Sequence, residues 1–145
     1  TKALDHIRQL ANTLGVLDQV EIVGPYTHAQ APEILRRAHI LLHTQHHDVC
    51  PGLVLEAMAC GLPIVYSASG GVPELVGPAA GIGVAVPESW ENVSSPDPEH
   101  MAMAVRHVAD QRAQYAQQAR QRAVTSFEVR RWLDRQRIIF ETLLR

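Results

Sequence analysis

The sequence is short of the residues that mark secreted, membrane-spanning and nucleic-acid-binding proteins. Its 145 residues include only two cysteines, Cys50 and Cys60, too few for a disulfide framework or for the paired clusters of a structural zinc site. Aromatic residues make up 5% of the chain, which argues against a stacking platform for nucleic acid. No apolar run approaches the ~18 residues that a membrane helix needs, and no basic segment leads into an apolar one near Thr1. We therefore expect a cytoplasmic protein with reduced thiols, without a leader segment and without a nucleic-acid partner.

Charge is distributed unevenly along the chain. The formal net charge is −2, but residues 101–145 hold nine arginines against four acids, which gives +5 there and leaves −7 in residues 1–100. We favour a solvated helix face for these arginines, because charged runs on helices usually face water. The alternatives are an acidic partner domain or peripheral contact with an anionic membrane, at its inner face.

Hydrophobic spacing predicts an α/β protein built on a mostly parallel sheet. Helices are predicted at 3–14, 32–38, 52–60, 72–76, 101–109, 112–126 and 129–143, and strands at 19–24, 39–44, 63–67 and 81–86. The chain therefore divides into an α/β part, residues 1–96, and a helical tail, residues 97–145. We expect Trp90 and Trp132 to be packing residues.

The turn between the predicted strand 39–44 and the predicted helix 52–60 is the most informative segment. Pro51 and Gly52 open the helix, so its first amides form an anion site. Glu56, about one turn further on, suits two neighbouring hydroxyls such as a ribose diol. Asp48, in the loop before the helix, suits another polyol. A diphosphate between two polyols describes a nucleotide sugar.

These residues also carry a resemblance to a known family. Asp48 and Glu56 enclose seven residues, and the runs 57–65 and 70–76 follow. Together they resemble the nucleotide-sugar half of retaining glycosyltransferases of family 4, which have the GT-B fold. The resemblance implies a Rossmann-like parallel sheet, the C-terminal half of that fold, in which Asp48 binds donor-sugar hydroxyls and Glu56 holds the ribose. We expect these two acids to be the catalytic pair.

The resemblance assigns further donor-binding positions and implies a reaction. Contacts to the sugar and diphosphate correspond to the backbone of Pro51, Gly52, Leu53 and Val54; the wall near the nucleobase corresponds to Tyr26; and a second loop bordering the cleft corresponds to Gly70, Gly71 and Glu74. The complete enzyme would move a hexose from a nucleoside-diphosphate sugar to an acceptor hydroxyl. No cofactor and no metal are expected.

Three departures from the family pattern matter. The family's usual Gly-Phe or similar pair inside the motif is replaced by Cys50-Pro51-Gly52, which still leaves a turn with free amides. Asp48 stands where the family usually has Glu, which puts the choice of donor in doubt. The strand, helix and strand that normally begin the donor-binding domain, with the Arg and Lys that clamp the diphosphate, precede the position of Thr1. The resemblance thus implies an N-terminally truncated piece whose partner is a missing N-terminal acceptor domain, and whose unpaired strand edges could self-associate.

Other interpretations of the same residues stay open. Asp48 could cap the helix, Glu56 could be an exposed helix carboxylate, and Glu74 could cap or pair locally. His39 and His43 could suggest a metal, but the extended chain between them separates them by more than ~12 Å, too far for one ion. As a whole, the chain could instead belong to a nucleotide-sugar epimerase of the same fold, or be a non-catalytic remnant that serves as an interaction module.

Overall fold

The computed structural model describes residues 2–89 and 91–144, and the chain forms two compact units, residues 1–31 and 32–145. The first unit contains helix α1 (Lys2–Thr13), which confirms the helix predicted at 3–14. A single 3-10 turn, Leu17–Gln19, follows it.

The strand predicted at 19–24 is wrong. Val20 has extended backbone angles, φ −107° and ψ 111°, but residues 20–27 have no regular secondary structure. Val20 and Val23 are exposed over 41% and 49% of their surface. Alternating apolar residues favour extended chain, whereas a strand also needs a neighbour that completes its hydrogen-bond ladder. Within the described part of the first unit, no other segment is a strand.

The remaining elements agree with the predicted pattern to within a few residues. In chain order they are α2 (Ala31–Arg37), β1 (Leu41–His43), α3 (Gly52–Ala59), β2 (Ile64–Ser67), α4 (Val72–Val76), β3 (Gly81–Val84), α5 (Pro98–Asp110), α6 (Arg112–Ser126) and α7 (Val129–Leu143). The three strands form a parallel sheet in the order β1-β2-β3. The predicted α/β class with a parallel sheet is therefore confirmed, and the division at residues 96 and 97 stays a prediction.

The sheet separates two hydrophobic clusters. β2 is buried along its whole length, so its alternating side chains serve both faces. Ile64 and Tyr66 pack with residues of α3, α4 and α6 on one side, and Val65 packs with residues of α5 on the other. β2 thus anchors the two crossover helices, α3 between β1 and β2 and α4 between β2 and β3. The turns after β1 and β2 lie at the carboxyl edge of the sheet.

Two arginines of α6 hold the ends of the crossover helices. Arg120 donates to the carbonyl of Ala59 at the end of α3. Arg122 donates to the carbonyls of Leu75 and Glu74 in α4. A cation at a helix C-terminus satisfies carbonyls that have no partner within the helix and complements the helix dipole. Arg122 is half-buried, so the predicted solvated face is wrong for it, whereas Arg120 stays exposed while it makes its contact.

Helix α7 contributes no buried residue to the described core. Trp132 is 52% exposed and Phe140 is 61% exposed, so the prediction that Trp132 packs internally is wrong for this structure. Trp90 lies outside the described residues. Among the helices of the two described ranges, none combines the length and hydropathy that crossing a bilayer requires.

Candidate functional site

Helix α3 begins without a side-chain cap. Pro51 occupies the capping position with φ −68° and ψ 113°, and no side chain accepts from the first turn. The alternative in which Asp48 caps this helix is therefore wrong. The Val54 amide already donates to the Pro51 carbonyl at 3.1 Å, and proline has no N–H. Gly52 and Leu53 thus supply the first-turn amides that have no acceptor inside the helix.

One side of α3 packs in the core and the other side is open to solvent. Val54, Ala57 and Met58 are completely buried and fix the helix in the core, whereas Gly52 and Leu53 are exposed and Glu56 is half-buried. Residues three and four apart share one helix face, and side chains tilt toward the N-terminus. Glu56 therefore shares a helix face with Gly52 and Leu53, which supply the amides of the first turn.

The backbone around Asp48 is anchored to the turn after β2. The His47 amide donates to the Ser69 hydroxyl at 3.0 Å, and the Gly71 amide donates to the Asp48 carbonyl at 2.9 Å. His47 adopts the left-handed conformation, φ +49°, which is unusual for a residue other than glycine. Asp48 is therefore held from both sides at the carboxyl edge of the sheet.

Gly70 and Gly71 are required by this close approach of two backbones. A Cβ at Gly70, where φ is +63°, would lie 2.5 Å from the Asp48 carbonyl oxygen. A Cβ at Gly71 would lie 1.9 Å from the carbonyl oxygen of Val49. Their role in this structure is to let the two turns meet, and a direct contact with a nucleotide stays a prediction.

The side chain of Asp48 has a neighbour that the sequence interpretation did not identify. His43, the last residue of β1, is 8% exposed, and its Nε2 lies 3.4 Å from Oδ2 of Asp48, whose side chain is 19% exposed. The signal was a histidine at the end of a strand that leads into a loop with an acid. The sequence pattern suggested only a possible metal ligand at this histidine.

The predicted donor-binding residues are only partly brought together. Asp48 shortly precedes the first turn of α3 in the chain. Gly70 and Gly71, in the turn after β2, pack against the backbone of Asp48 and Val49. Glu74 is an exposed residue in the first turn of α4, a five-residue helix. Tyr26 belongs to the first unit and is 48% exposed in the irregular segment.

Over residues 2–89 and 91–144, no three His, Cys, Asp or Glu side chains form a group that could hold a metal ion.

Known proteins share this chain's sequence pattern. A family model described as glycosyl transferases group 1 matches residues 2–123. The gpi3 subunit of phosphatidylinositol N-acetylglucosaminyltransferase from Schizosaccharomyces pombe is 32% identical over 75 residues, which covers 52% of this chain and 16% of that protein. D-inositol 3-phosphate glycosyltransferase from Salinispora arenicola is 36% identical over 67 residues, which covers 46% of this chain and 15% of that protein.

Solved structures share the fold over almost the whole chain. Sucrose-phosphate synthase from Thermosynechococcus elongatus superposes with a TM-score of 0.77 at 22% identity, covering 97% of this chain and 34% of that one. HepE from Anabaena in complex with UDP superposes with a TM-score of 0.72 at 24% identity, covering 97% and 36%. These likenesses confirm the predicted Rossmann-like fold. The chain spans about a third of these structures and a smaller share of the curated relatives.

Proposed function

Because this chain belongs to the family of group 1 glycosyl transferases, we propose that it is the donor-binding part of a retaining glycosyltransferase. The full-length protein would move a sugar from a nucleoside-diphosphate sugar to an acceptor hydroxyl. Membership of family 4 within this group is part of the proposal.

One observation carries the proposal: a single turn presents both amides and carboxylates. The exposed amides of Gly52 and Leu53 open α3, Glu56 shares their face, and the anchored Asp48 precedes them. The amides and the helix dipole would bind the diphosphate. Glu56 would accept hydrogen bonds from the ribose hydroxyls, and Asp48 from hydroxyls of the donor sugar.

The same groups would lower the barrier to transfer. As the sugar leaves its donor, the bond between the anomeric carbon and the diphosphate oxygen breaks, and its electron pair stays with the diphosphate. The acceptor oxygen forms the new bond, and its proton goes to the leaving diphosphate. Amides held in place by the buried side of α3 stabilise the charge that develops, without having to reorganise. The cations of the clamp would come from the rest of the protein.

Other structures support the choice of ligand. HepE from Anabaena, which has the same fold, was crystallised with UDP and with UDP-glucose. A nucleoside-diphosphate sugar is therefore the substrate class that we propose here, with no cofactor and no metal in the chemistry.

The remaining strands of the donor-binding domain, together with the acceptor domain, would complete the proposed full-length protein. Leu42 of the outer strand β1 is 51% exposed, and it lines a groove of about 590 Å³ together with Met101 and Val105 of α5. An open strand edge beside an apolar groove is normally covered by further protein. A cytoplasmic location, peripheral membrane contact through the basic helices and self-association stay predictions.

Calorimetric titration of the full-length protein with UDP, and with other nucleoside diphosphates, tests the proposal. Glu56→Gln removes the charge but keeps the size, and we expect at least tenfold weaker binding, about 1.4 kcal/mol. Glu99→Gln changes an exposed acid in the first turn of α5, and should leave binding unchanged. Equal affinity of wild type and Glu56→Gln contradicts the proposal. An epimer formed from the donor without acceptor would indicate the epimerase instead.

A further inference from the structure

His43 is a buried histidine whose outer ring nitrogen faces one charged group. The residue is more than nine-tenths buried at the end of β1. Its Nε2 has no well-formed hydrogen bond within the described ranges, and it lies 3.4 Å from Oδ2 of Asp48. A buried ring nitrogen without a partner is costly, so this arrangement needs an explanation.

Other polar side chains of the turns after β1 and β2 contact one another. The buried hydroxyls of Ser67 and Ser69 lie 3.3 Å apart, and Ser69 also accepts from the His47 amide. The His46 ring lies 3.3 Å from the carbonyl of Ser89. Within the described residues, the charged group recorded beside His43 Nε2 is the carboxylate of Asp48, at 3.4 Å.

The hydrogen bond to the backbone of Asp48 does not by itself set the direction of its side chain. The Gly71 amide holds the Asp48 carbonyl, which sets where the residue lies and leaves the side-chain torsions open. The side chain of Asp is one methylene shorter than that of Glu. Its carboxylate therefore reaches a ligand only when the side chain points directly at that ligand. A hydrogen-bond donor at Oδ2 would orient the carboxylate and leave Oδ1 free to accept a hydrogen bond from a ligand.

We propose that His43 is a positioning residue: its Nε2–H holds Oδ2 of Asp48, so that the carboxylate is aimed at the hydroxyls of the donor sugar. The inference rests on the proposed function, because it presumes that a nucleotide sugar binds beside α3. It assigns His43 to the sugar half of the ligand and not to the nucleotide half.

Three substitutions at His43 separate this role from packing. Gln places its amide nitrogen near the position of Nε2, Asn places it near Nδ1 and falls short of Asp48, and Leu removes the donor. We expect His43→Gln to bind UDP-glucose within about threefold of wild type, and His43→Asn and His43→Leu to bind it at least tenfold more weakly, as for a lost hydrogen bond to a charged group. All three should bind UDP within about twofold of wild type.

Calorimetry on the full-length protein measures both ligands, and urea unfolding checks that each variant folds. His39→Leu changes an exposed histidine just before the same strand, and should alter neither affinity. Unchanged UDP-glucose binding in His43→Asn, or equal losses for UDP and UDP-glucose, overturns the positioning role. A wild-type protein that binds neither ligand and none of the other nucleoside diphosphates overturns the proposed function. A UDP-binding protein that is insensitive at His43 overturns this inference alone.

Discussion

Replacement of Gly71 by Ala tests whether the meeting of the two turns builds the site. The new Cβ would lie 1.9 Å from the Val49 carbonyl oxygen and 3.0 Å from its carbon, so the turns must separate by more than an ångström to reach ordinary contact. The separation also strains the 2.9 Å hydrogen bond from the Gly71 amide to Asp48. Overpacking typically costs about 1–3 kcal/mol and a lost hydrogen bond about 0.5–1.5 kcal/mol. We expect the free energy of unfolding to fall by roughly 2–4 kcal/mol.

Urea unfolding with linear extrapolation measures this loss, and Gly24→Ala is the matched control because a Cβ at Gly24 meets nothing within 4 Å. Since Asp48 would move with its turn, affinity for UDP-glucose should fall in Gly71→Ala and stay unchanged in Gly24→Ala. The reasoning is refuted if Gly71→Ala unfolds within about 0.5 kcal/mol of the control, the range usual for neutral surface substitutions.

Two further predictions concern the core and alkaline pH. Met58→Ala should lower the free energy of unfolding by about 2–5 kcal/mol because Met58 is completely buried. Phe140→Ala changes a side chain that is 61% exposed and should lower it by about 0.5 kcal/mol or less in this chain. Chemical denaturation of both variants measures the contrast, and similar losses would contradict it. Burial raises the pKa of the Tyr66 hydroxyl above its ordinary value of 10.0, with Arg122 partly opposing the rise, so the folded protein keeps this proton to a higher pH than the unfolded chain. The stabilisation by the protonated Tyr66 hydroxyl is complete below about pH 10 and is lost as pH rises through the folded pKa. Across that pH range, the urea midpoint of unfolding should fall less steeply with pH for Tyr66→Phe than for the wild type. Equal slopes for the two proteins would contradict the raised pKa of Tyr66.

Local signals in the sequence predicted helix α3 closely. Proline at the start and glycine at the end predicted a helix at 52–60, and the observed bounds are Gly52–Ala59. Gly61 has φ +77°, and the amides of Gly61 and Leu62 donate back to Met58 and Ala57. This is the Schellman arrangement in which glycine ends a helix. Elements punctuated in this way are predictable because their boundaries depend on neighbours in sequence.

Features that depend on distant segments were not predictable. The alternating residues 19–24 did not become a strand, since a strand is completed by a partner. The packing role of Gly71 depends on Val49, 22 positions earlier in the chain. Arg122 caps α4 from 47 and 48 positions away, and net charge alone could not distinguish it from the solvated arginines. In each case the decisive contact joins two elements that the sequence pattern treats separately.

The buried and exposed sides of α3 explain how the candidate site can be rigid and still open to a ligand. The buried side of α3 fixes the helix through Met58 and its neighbours, and the exposed side presents amides that are satisfied by a ligand or by water. Asp48 would be placed by a second constraint, the meeting of two turns across Gly71, with its carboxylate directed by His43. Substitutions on the buried side should therefore lower stability, those on the exposed side should lower nucleotide affinity, and those at His43 should lower only the affinity that depends on the sugar. A preorganised site is expected to show these separable effects at α3 and His43. At Gly71 stability and binding should fall together, because that residue holds the two turns against each other.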